Sequence, residues 1–348
     1  MKNSINQFKI NKRIIDSNNY PYIVAEISGN HSQSLNKTFK ILEILSDIGV
    51  DAVKLQSYQP EDITLPGLYK ITDKNSLWYG RDLYELFAEG TLSYDLQEKI
   101  IEKSRNLGLE IFSSPFSEKN VEFLMDQKIN VFKIASFELN HLPLLKKVAK
   151  TKKPVIISTG VSDYTQIKKA IQFLNDNGCY KIMILKTTSS YPSDPKNSNL
   201  KTLKRLKKDF DLPVGISDHT PGIGTALASI GLGACLIEKH FTLDKNDGAL
   251  DSLFSLEPNE FKSLVDESKR AFESIGTVNF DINEKNLLYK RSIYTSEKIS
   301  KGQSLTQNNI QVLRPYKGID ANFYFDLIGK IVNQDINANQ PLKMEHLK

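Results

Sequence analysis

The feature that most constrains the fold is an alternation of short apolar runs with longer amphipathic segments. Most of the segments between the runs place apolar residues three and four apart and end at a glycine, as helices do. Strands alternating with helices over about 250 residues are typical of a (β/α)₈ barrel of the α/β class. A doubly wound open sheet is the alternative, but no G-x-G-x-x-G motif follows the first run. The eight runs are YIVAEI, DAVKLQSY, LEIFSS, NVFKIAS, PVIIST, KIMILKTT, LPVGISD and ACLIEKHF.

The chain is long enough for one large and one small domain, since it has 348 residues. All eight apolar runs fall within residues 1–276, which we predict to form the barrel domain. Residues 277–289 have the character of a linker. Residues 290–348 contain short alternating segments with Gly and Asn turns, which predict a small β-rich domain.

Composition excludes several classes of function. The formal charge of +5 comes mainly from lysines scattered over helical faces, without the interleaved aromatic residues typical of nucleic-acid binding. Two cysteines, Cys179 and Cys235, cannot form a disulfide framework and suggest a reducing compartment. No stretch approaches the roughly 18 apolar residues of a membrane span. We therefore expect a cytoplasmic protein that binds neither nucleic acid nor membrane, and whose positive charge attracts an anionic small substrate.

Polar side chains follow nearly every apolar run at the point where the predicted strand ends. In a barrel all these ends open on one face, where barrel enzymes place their chemistry. Residues two apart on a strand point to the same side, so Lys54 shares a side of its strand with Gln56, and Glu238 shares a side with His240. The strand-end residues are Glu26; Lys54 and Gln56; Ser113 and Ser114; Lys133 and Ser136; Ser158 and Thr159; Thr187 to Ser190; Ser217, Asp218 and His219; and Glu238, Lys239 and His240.

These residue types suggest an anion site beside a metal site. Lysines together with hydroxyl groups suit a phosphate and a carboxylate. His219 and His240 end neighbouring strands, so their imidazoles could share one divalent metal, with Glu238 as a supporting partner. A metal with two protein nitrogens keeps open positions for water and a substrate carbonyl, as catalytic sites do.

Successive motifs along the chain resemble those of the sialic acid synthase family, which condenses phosphoenolpyruvate with an N-acetylated amino sugar. The motifs are AEISGNH, KLQSY, FSSPF, KIASFE, STG, SSYP, GISDHTPG and IEKHF. The tail resembles the small antifreeze-like (SAF, β-clip) domain that ends these enzymes. Within the family, AEISGNH, the insertion SLWYGRDLYELFAEG and the segment DSLFSLEPNEF are most similar to the pseudaminic acid synthases.

The resemblance implies a role for each matching residue, with Glu26 and Glu238 as candidates for moving protons. It also implies a domain-swapped homodimer, in which Arg314 of the small domain reaches the sugar in the partner's barrel. The implied phosphoenolpyruvate contacts are Lys54, Ser113, Lys133, Ser136 and Ser158, with Ser189 and Tyr191 near them. The implied sugar contacts are Glu26, Gln56, Asp251 and Arg314, and the implied ligands of Mn²⁺ or Mg²⁺ are His219 and His240.

The activity implied by the resemblance is condensation of phosphoenolpyruvate with 2,4-diacetamido-2,4,6-trideoxy-altrose, which yields pseudaminic acid and phosphate. Legionaminic acid and N-acetylneuraminic acid synthases are the alternatives within the family. Outside it, a Schiff-base aldolase with Lys54 or Lys133 as nucleophile is a rival enzyme. A non-catalytic sugar-binding protein built on the same barrel is a third hypothesis.

Overall fold

A computed structural model describes residues 8–348 of the chain. The chain divides into two compact units, of which the first ends at Gly276 and the second is Thr277–Lys348. Among the described residues, no helix combines the length and the apolar character needed to cross a bilayer.

The first unit is built around a closed barrel of eight parallel strands, as predicted. A short antiparallel hairpin of β1 (Lys9–Ile10) and β2 (Arg13–Ile14) precedes it. The last barrel strand pairs with the first and so closes the sheet. The barrel strands are β3 (Tyr22–Glu26), β4 (Ala52–Ser57), β5 (Glu110–Pro115), β6 (Phe132–Ile134), β7 (Val155–Ser158), β8 (Ile182–Thr187), β9 (Val214–Asp218) and β10 (Leu236–His240).

Helices alternate with the strands, and their ends follow from local sequence. Ser34 caps the first helix by accepting a hydrogen bond from the Lys37 amide, and Gly49 ends it with a φ of 82°. Asp163 forms a capping box with Gln166 at the start of another. The helices are α1 (Leu35–Ile48), α2 (Leu83–Gly90), α3 (Tyr94–Asn106), α4 (Glu118–Asp126), α5 (Leu142–Lys150), α6 (Tyr164–Asp176), α7 (Thr202–Phe210), α8 (Gly224–Ile230) and α9 (Pro258–Ile275).

The alternation of side chains on β10 explains why a buried strand ends in three ionisable groups. All five residues of the strand are buried. Lys239 points away from Glu238 and His240, and its ammonium donates to Asp218 Oδ2 at 2.7 Å on the neighbouring strand. Glu238 therefore shares its side of the strand with His240, which places both on the face that lines the barrel.

The second unit has its own small apolar core. Its regular structure consists of α10 (Glu284–Leu287), the antiparallel strands β11 (Ser292–Thr295) and β12 (Ile310–Leu313), and α11 (Tyr324–Leu327). Single β-bridges such as Ile299 with Ile336 join other extended segments, so fewer continuous strands form than the sequence pattern suggests. The core residues are Ile293, Ile299, Leu305, Ile310, Ile319, Leu327, Val332, Ile336 and Leu342.

One helix lies within the stretch predicted to be a linker. α10 begins after Asn283, whose side chain accepts a hydrogen bond from the Lys285 amide. This is the normal N-cap interaction, and it stabilises a short turn in a polar sequence without any apolar periodicity.

Candidate active site

A cavity of about 490 Å³ lies at the carboxyl ends of the barrel strands in the first unit. Its wall contains most of the residues that the sequence indicated, because parallel strands present their carboxyl ends on one face. The predicted site residues that line it are Lys54, Gln56, Lys133, Ser136, Ser158, Ser189, Tyr191, His219, Glu238, His240 and Asp251.

Two lysines and two glutamates form a buried charged cluster beneath this cavity. Lys54 Nζ lies 2.5 Å from Glu26 Oε2 and 3.5 Å from Glu238 Oε1. Lys133 Nζ lies 3.6 Å from the same Glu238 oxygen. All four residues are at most 4% exposed. Because each charge has an opposite neighbour, attraction between the groups offsets part of the cost of removing them from water.

Burial and neighbouring charges set the pKa values within this cluster. Burial raises the pKa of Glu26 to about 7, although Lys54 opposes the rise. Burial also pushes the pKa of Glu238 upward, but Lys133 and Lys54 outweigh it and leave that pKa below its usual value. Burial lowers the pKa of Lys133 to about 8. Glu26 can therefore take or give a proton near neutral pH, whereas Glu238 stays ionised.

Hydroxyl groups surround the lysines and are held close together by a glycine. Lys54 Nζ donates to Ser114 Oγ at 3.3 Å, and the Gly160 amide donates to Ser136 Oγ at 3.0 Å. A Cβ on Gly160 would lie 2.0 Å from Ser189 Oγ, so any larger residue would displace that serine. Ser158 Oγ is buried and has no hydrogen-bond partner within the described chain. A buried hydroxyl without a partner is a group that a ligand can satisfy.

The two histidines at the ends of β9 and β10 lie side by side. Their ring centroids are 5.3 Å apart. His219 Nδ1 lies 3.0 Å from the Thr188 carbonyl oxygen, so it carries the proton and leaves Nε2 with a free lone pair. His240 Nδ1 is buried and has no hydrogen-bond partner among the described residues; Asp251 Oδ2 is 3.9 Å away. Burial lowers the pKa of His219 to about 4 and that of His240 well below its usual value.

Neutral imidazoles with free lone pairs fit the requirements of a divalent metal. Within residues 8–348, no three His, Cys, Asp or Glu side chains are grouped so as to hold a metal ion. A metal here would thus depend on His219 and His240, and would take its remaining ligands from water and substrate.

Three further polar side chains connect this cavity to neighbouring loops. Gln56 Nε2 donates to Ser28 Oγ at 2.9 Å, and the Gly29 amide donates to Asp251 Oδ2 at 3.1 Å. Burial raises the pKa of Asp251. Tyr191 packs against His219, with ring centroids 4.5 Å apart. Gln56, Asp251 and Tyr191 are thereby fixed in the cavity wall, and Asp251 and Tyr191 lie next to the histidines.

The remaining predicted site residues are placed differently. Glu26 lies behind Lys54 and is not part of the cavity lining. Ser113 faces outward, where its hydroxyl lies 2.7 Å from Ser57 Oγ, because Leu55 rather than Lys54 is its register partner. This corrects the assignment of Ser113 to the cavity, since the adjacent Ser114 occupies the inward position. Arg314 is an exposed residue of the second unit.

Reasoning from sequence also missed a group of apolar residues along one side of the cavity, here called the apolar wall. Five of them lie between β4 and α3, three in irregular chain and two on α2, and this stretch carries no strand pattern that could have indicated them. The apolar wall consists of Ile63, Ile71, Trp78, Leu86, Phe87 and Leu250. A serine on the charged side, Ser217, was noted only as a strand end; its hydroxyl donates to Glu238 Oε1 at 2.9 Å.

Comparison with known proteins agrees with this fold. The model of the NeuB family matches residues 41–280, and the model of the SAF domain matches residues 290–348. The pseudaminic acid synthase of Campylobacter jejuni is 37% identical over 326 residues, which cover 92% of this chain and 95% of that protein. The N,N'-diacetyllegionaminic acid synthase of the same organism is 34% identical and covers 92% of this chain and 98% of its own length.

A solved structure is also similar. The crystal structure of the N-acetylneuraminic acid synthetase of Leptospira borgpetersenii, in complex with citrate, superimposes with a TM-score of 0.72 at 26% identity. The match covers 80% of this chain and 93% of the Leptospira chain.

The barrel carries polar side chains at the carboxyl ends of its strands, where barrel enzymes have their active sites. Together with these relatives, this makes the protein a transferase that forms carbon–carbon bonds. The chain belongs to the NeuB family and carries a C-terminal SAF domain.

Proposed function

We propose that the protein condenses phosphoenolpyruvate with 2,4-diacetamido-2,4,6-trideoxy-altrose, giving pseudaminic acid and phosphate. The observation that carries the proposal is the pairing, in one cavity, of two buried lysines with two neutral histidines, Lys54 and Lys133 with His219 and His240. The choice of sugar is supported by the 37% identity to pseudaminic acid synthases from two organisms.

Phosphoenolpyruvate carries a phosphate and a carboxylate, and both need positive charge or hydrogen-bond donors when they leave water. Lys54 and Lys133 supply the charge, and their mutual neighbour Glu238 keeps both ammonium groups at the same side of the cavity. The partnerless hydroxyl of Ser158 supplies a donor. The inward Ser114 is expected to take the place that Ser113 was predicted to fill.

The imidazole nitrogens of His219 and His240 would hold Mn²⁺ or Mg²⁺. When bound, such a metal polarises the aldehyde oxygen of the open-chain sugar as a Lewis acid. Gln56 and Asp251, held in place by hydrogen bonds with Ser28 and the Gly29 amide, bind and orient the sugar.

The reaction forms one carbon–carbon bond and breaks one carbon–oxygen bond. The methylene carbon of phosphoenolpyruvate attacks the aldehyde carbon, and the aldehyde oxygen takes up a proton. Water then adds to the cationic carbon that carried the double bond and loses a proton, which passes by way of groups lining the cavity to the Glu26 carboxylate behind Lys54; a pKa of about 7 lets Glu26 accept and release protons near neutrality. The bond between that carbon and the phosphate oxygen then breaks, the proton of the new hydroxyl group passes to the departing phosphate, and a ketone and inorganic phosphate result.

Three sugars assayed side by side test the choice of substrate. We expect phosphate release to be fastest with the altrose derivative, slower with its manno-configured counterpart, which gives legionaminic acid, and slowest with N-acetylmannosamine. Equal or faster turnover of N-acetylmannosamine would show that the product is N-acetylneuraminic acid and not pseudaminic acid. Absence of phosphate release with all three would favour a sugar-binding protein.

A Schiff-base aldolase is the second candidate because the pKa of Lys133 is lowered to about 8, as in lysines that form Schiff bases. Borohydride separates the two hypotheses, since it reduces a Schiff base to a stable adduct. We expect no adduct on Lys54 or Lys133 after borohydride is added in the presence of pyruvate. A mass increase on either lysine would favour the aldolase.

The proposal includes a domain-swapped homodimer in which Arg314 acts on the partner's barrel. A guanidinium is a rigid forked donor suited to an N-acetyl oxygen. Mixing Arg314→Ala with His240→Ala tests the arrangement by subunit exchange. If Arg314 acts in trans, one site of each heterodimer regains both residues and activity returns to about half per heterodimer. If it acts in cis, the mixture stays as inactive as the two parents.

A further inference from the structure

The apolar wall is poor in groups that can form hydrogen bonds. Its six side chains contain one polar atom, the indole nitrogen of Trp78, and that N–H donates to the Leu250 carbonyl at 3.3 Å. A hydroxyl group pressed against the apolar wall would lose its water without gaining a partner from these side chains. The rest of the cavity lining includes lysines, serines and histidines.

The chain holds the apolar wall in a defined position. The Gly80 amide donates to the Ile71 carbonyl at 2.8 Å, and the Ile71 amide donates to the Arg81 carbonyl at 2.9 Å, so Ile71 and Trp78 lie on one small hairpin. Leu250 packs tightly against two glycines. A Cβ on Gly29 would lie 2.9 Å from Leu250 Cβ, and a Cβ on Gly90 would lie 3.0 Å from Leu250 Cδ1.

A short row of rings connects the apolar wall to the histidines. The Trp78 and Tyr191 ring centroids are 6.0 Å apart, and Tyr191 in turn stacks beside His219 at 4.5 Å. A sugar whose aldehyde carbon lies at the histidines extends its carbon chain away from them, and C6 is at the far end of that chain. Because Trp78, Tyr191 and His219 line one cavity and contact one another in series, the far end of the chain can reach the surroundings of Trp78 without leaving that cavity.

We infer that the apolar wall, with Trp78 at its centre, receives the C6 methyl group of a 6-deoxy sugar and discriminates against sugars that carry a hydroxyl at C6. The inference rests on the proposed function, because it requires a 6-deoxy amino sugar as the acceptor. An apolar pocket rejects a substrate that merely adds a hydroxyl by about 10-fold to 100-fold in kcat/KM. The apolar wall thus selects the substituent at C6 of the sugar. The charged strand ends bind phosphoenolpyruvate and the parts that all candidate sugars have in common.

Two sugars that differ only at C6 test the inference: 2,4-diacetamido-2,4,6-trideoxy-altrose and 2,4-diacetamido-2,4-dideoxy-altrose. We expect the wild-type protein to prefer the 6-deoxy sugar by about 10-fold to 100-fold in kcat/KM. Trp78→Gln should lower this preference at least about fivefold through KM for the sugar, with KM for phosphoenolpyruvate unchanged. Trp78→Phe keeps an apolar ring and should keep the preference.

A second variant keeps the test valid if Trp78→Gln does not fold. Ile71→Thr retains a β-branched side chain on the hairpin and adds a hydroxyl to the apolar wall, so it should also lower the preference. Equal kcat/KM for the two altrose sugars in the wild-type protein would overturn the inference and leave the proposed function intact. Unchanged preference in both Trp78→Gln and Ile71→Thr would overturn it as well.

Two other outcomes bear on the inference. If the wall variants changed selection between a C4 acetamido and a C4 hydroxyl group but not at C6, the C6 assignment would be wrong. If the wild-type protein used N-acetylmannosamine and neither altrose sugar, the proposed function and the inference would both fail.

Discussion

The two sides of the cavity differ in how the chain positions them. The strand-end cluster of Glu26, Lys54, Lys133 and Glu238 sits on four strands of a closed barrel and is held by ion pairs between neighbours. The apolar wall lies mostly between β4 and α3 and is half-buried apart from Leu86. Strand positions are rigid, whereas loop sequences can change without disturbing the barrel. The proposed function and the proposed C6 selection match this division, with the shared chemistry on the strands and the choice of sugar at the apolar wall.

The comparison makes a general prediction. Changes in the strand-end cluster should lower activity with every sugar by a similar factor, because they affect the shared chemistry. Changes in the apolar wall should alter the ratio between sugars.

The largest effect is expected from removing the Lys133 ammonium. Lys133→Met keeps an unbranched side chain but removes a charge that Glu238 and the phosphoenolpyruvate anion both contact in the proposed site. We expect kcat/KM to fall by about 10²-fold to 10³-fold with each of the three sugars. Lys147→Met is the matched control: Lys147 on α5 pairs with Glu122 on α4 and does not line the cavity, so this variant should leave the rate unchanged. A loss confined to one sugar would contradict the division between the two sides.

The next largest effect is expected from removing the proposed metal. Excess EDTA should lower activity by at least about 100-fold, since Lewis-acid stabilisation contributes several kcal/mol. Mn²⁺ or Mg²⁺ added back should restore the wild-type protein but not His240→Ala. Full activity in excess EDTA would rule out the metal site at His219 and His240.

A smaller effect is expected at Gly160, where the barrel has no room for a side chain. In Gly160→Ala the new Cβ would overlap Ser189 Oγ at 2.0 Å and crowd Ser136 Oγ at 2.9 Å, so both hydroxyls must move. We expect KM for phosphoenolpyruvate to rise about 10-fold, as the loss of one well-placed hydrogen bond would cause. Gly224→Ala is the control, because a Cβ there meets nothing within 4 Å. An unchanged KM for phosphoenolpyruvate would show that Ser136 and Ser189 do not bind it.

The sequence was sufficient to predict the barrel and most of the charged side. Eight apolar runs of strand length and a polar residue after each are local patterns, and closure of a parallel barrel brings their ends together whatever the loops do. The prediction erred at Ser113 because two adjacent serines end the third run. Only the register with β4 decides which of the two faces inward.

The apolar wall could not be derived in the same way. Ile71 and Trp78 lie in a segment without a helix or strand period, and their neighbourhood depends on a hairpin and on contact with Leu250, about 170 residues further along the chain. Resemblance marked part of this segment as an insertion, but it did not indicate which side chains face the cavity.

The smallest effect concerns the support of the apolar wall and should appear in stability rather than in rate. His31 is buried in the loop after β3; its Nδ1 accepts a hydrogen bond from the Gln33 amide at 2.9 Å, and its ring bonds to the backbone of Gly90 at the end of α2. Burial lowers the pKa of His31 to about 4, whereas an unfolded histidine titrates near pH 6.5.

Between these two pH values the folded state therefore binds fewer protons at His31 than the unfolded state does. The stabilising contribution of the neutral His31 ring is complete above pH 6.5 and is lost as the pH falls toward 4. The contribution is at most about 3 kcal/mol. In His31→Gln this pH-dependent part is absent, so the free energies of unfolding of the wild-type and variant proteins should converge as the pH falls from 7 to 4.5. Urea unfolding followed by the fluorescence of Trp78, the single tryptophan, reports on this unit. A difference between the two proteins that stayed constant over that range would show that His31 supports the apolar wall through packing alone, without a dependence on its neutral form.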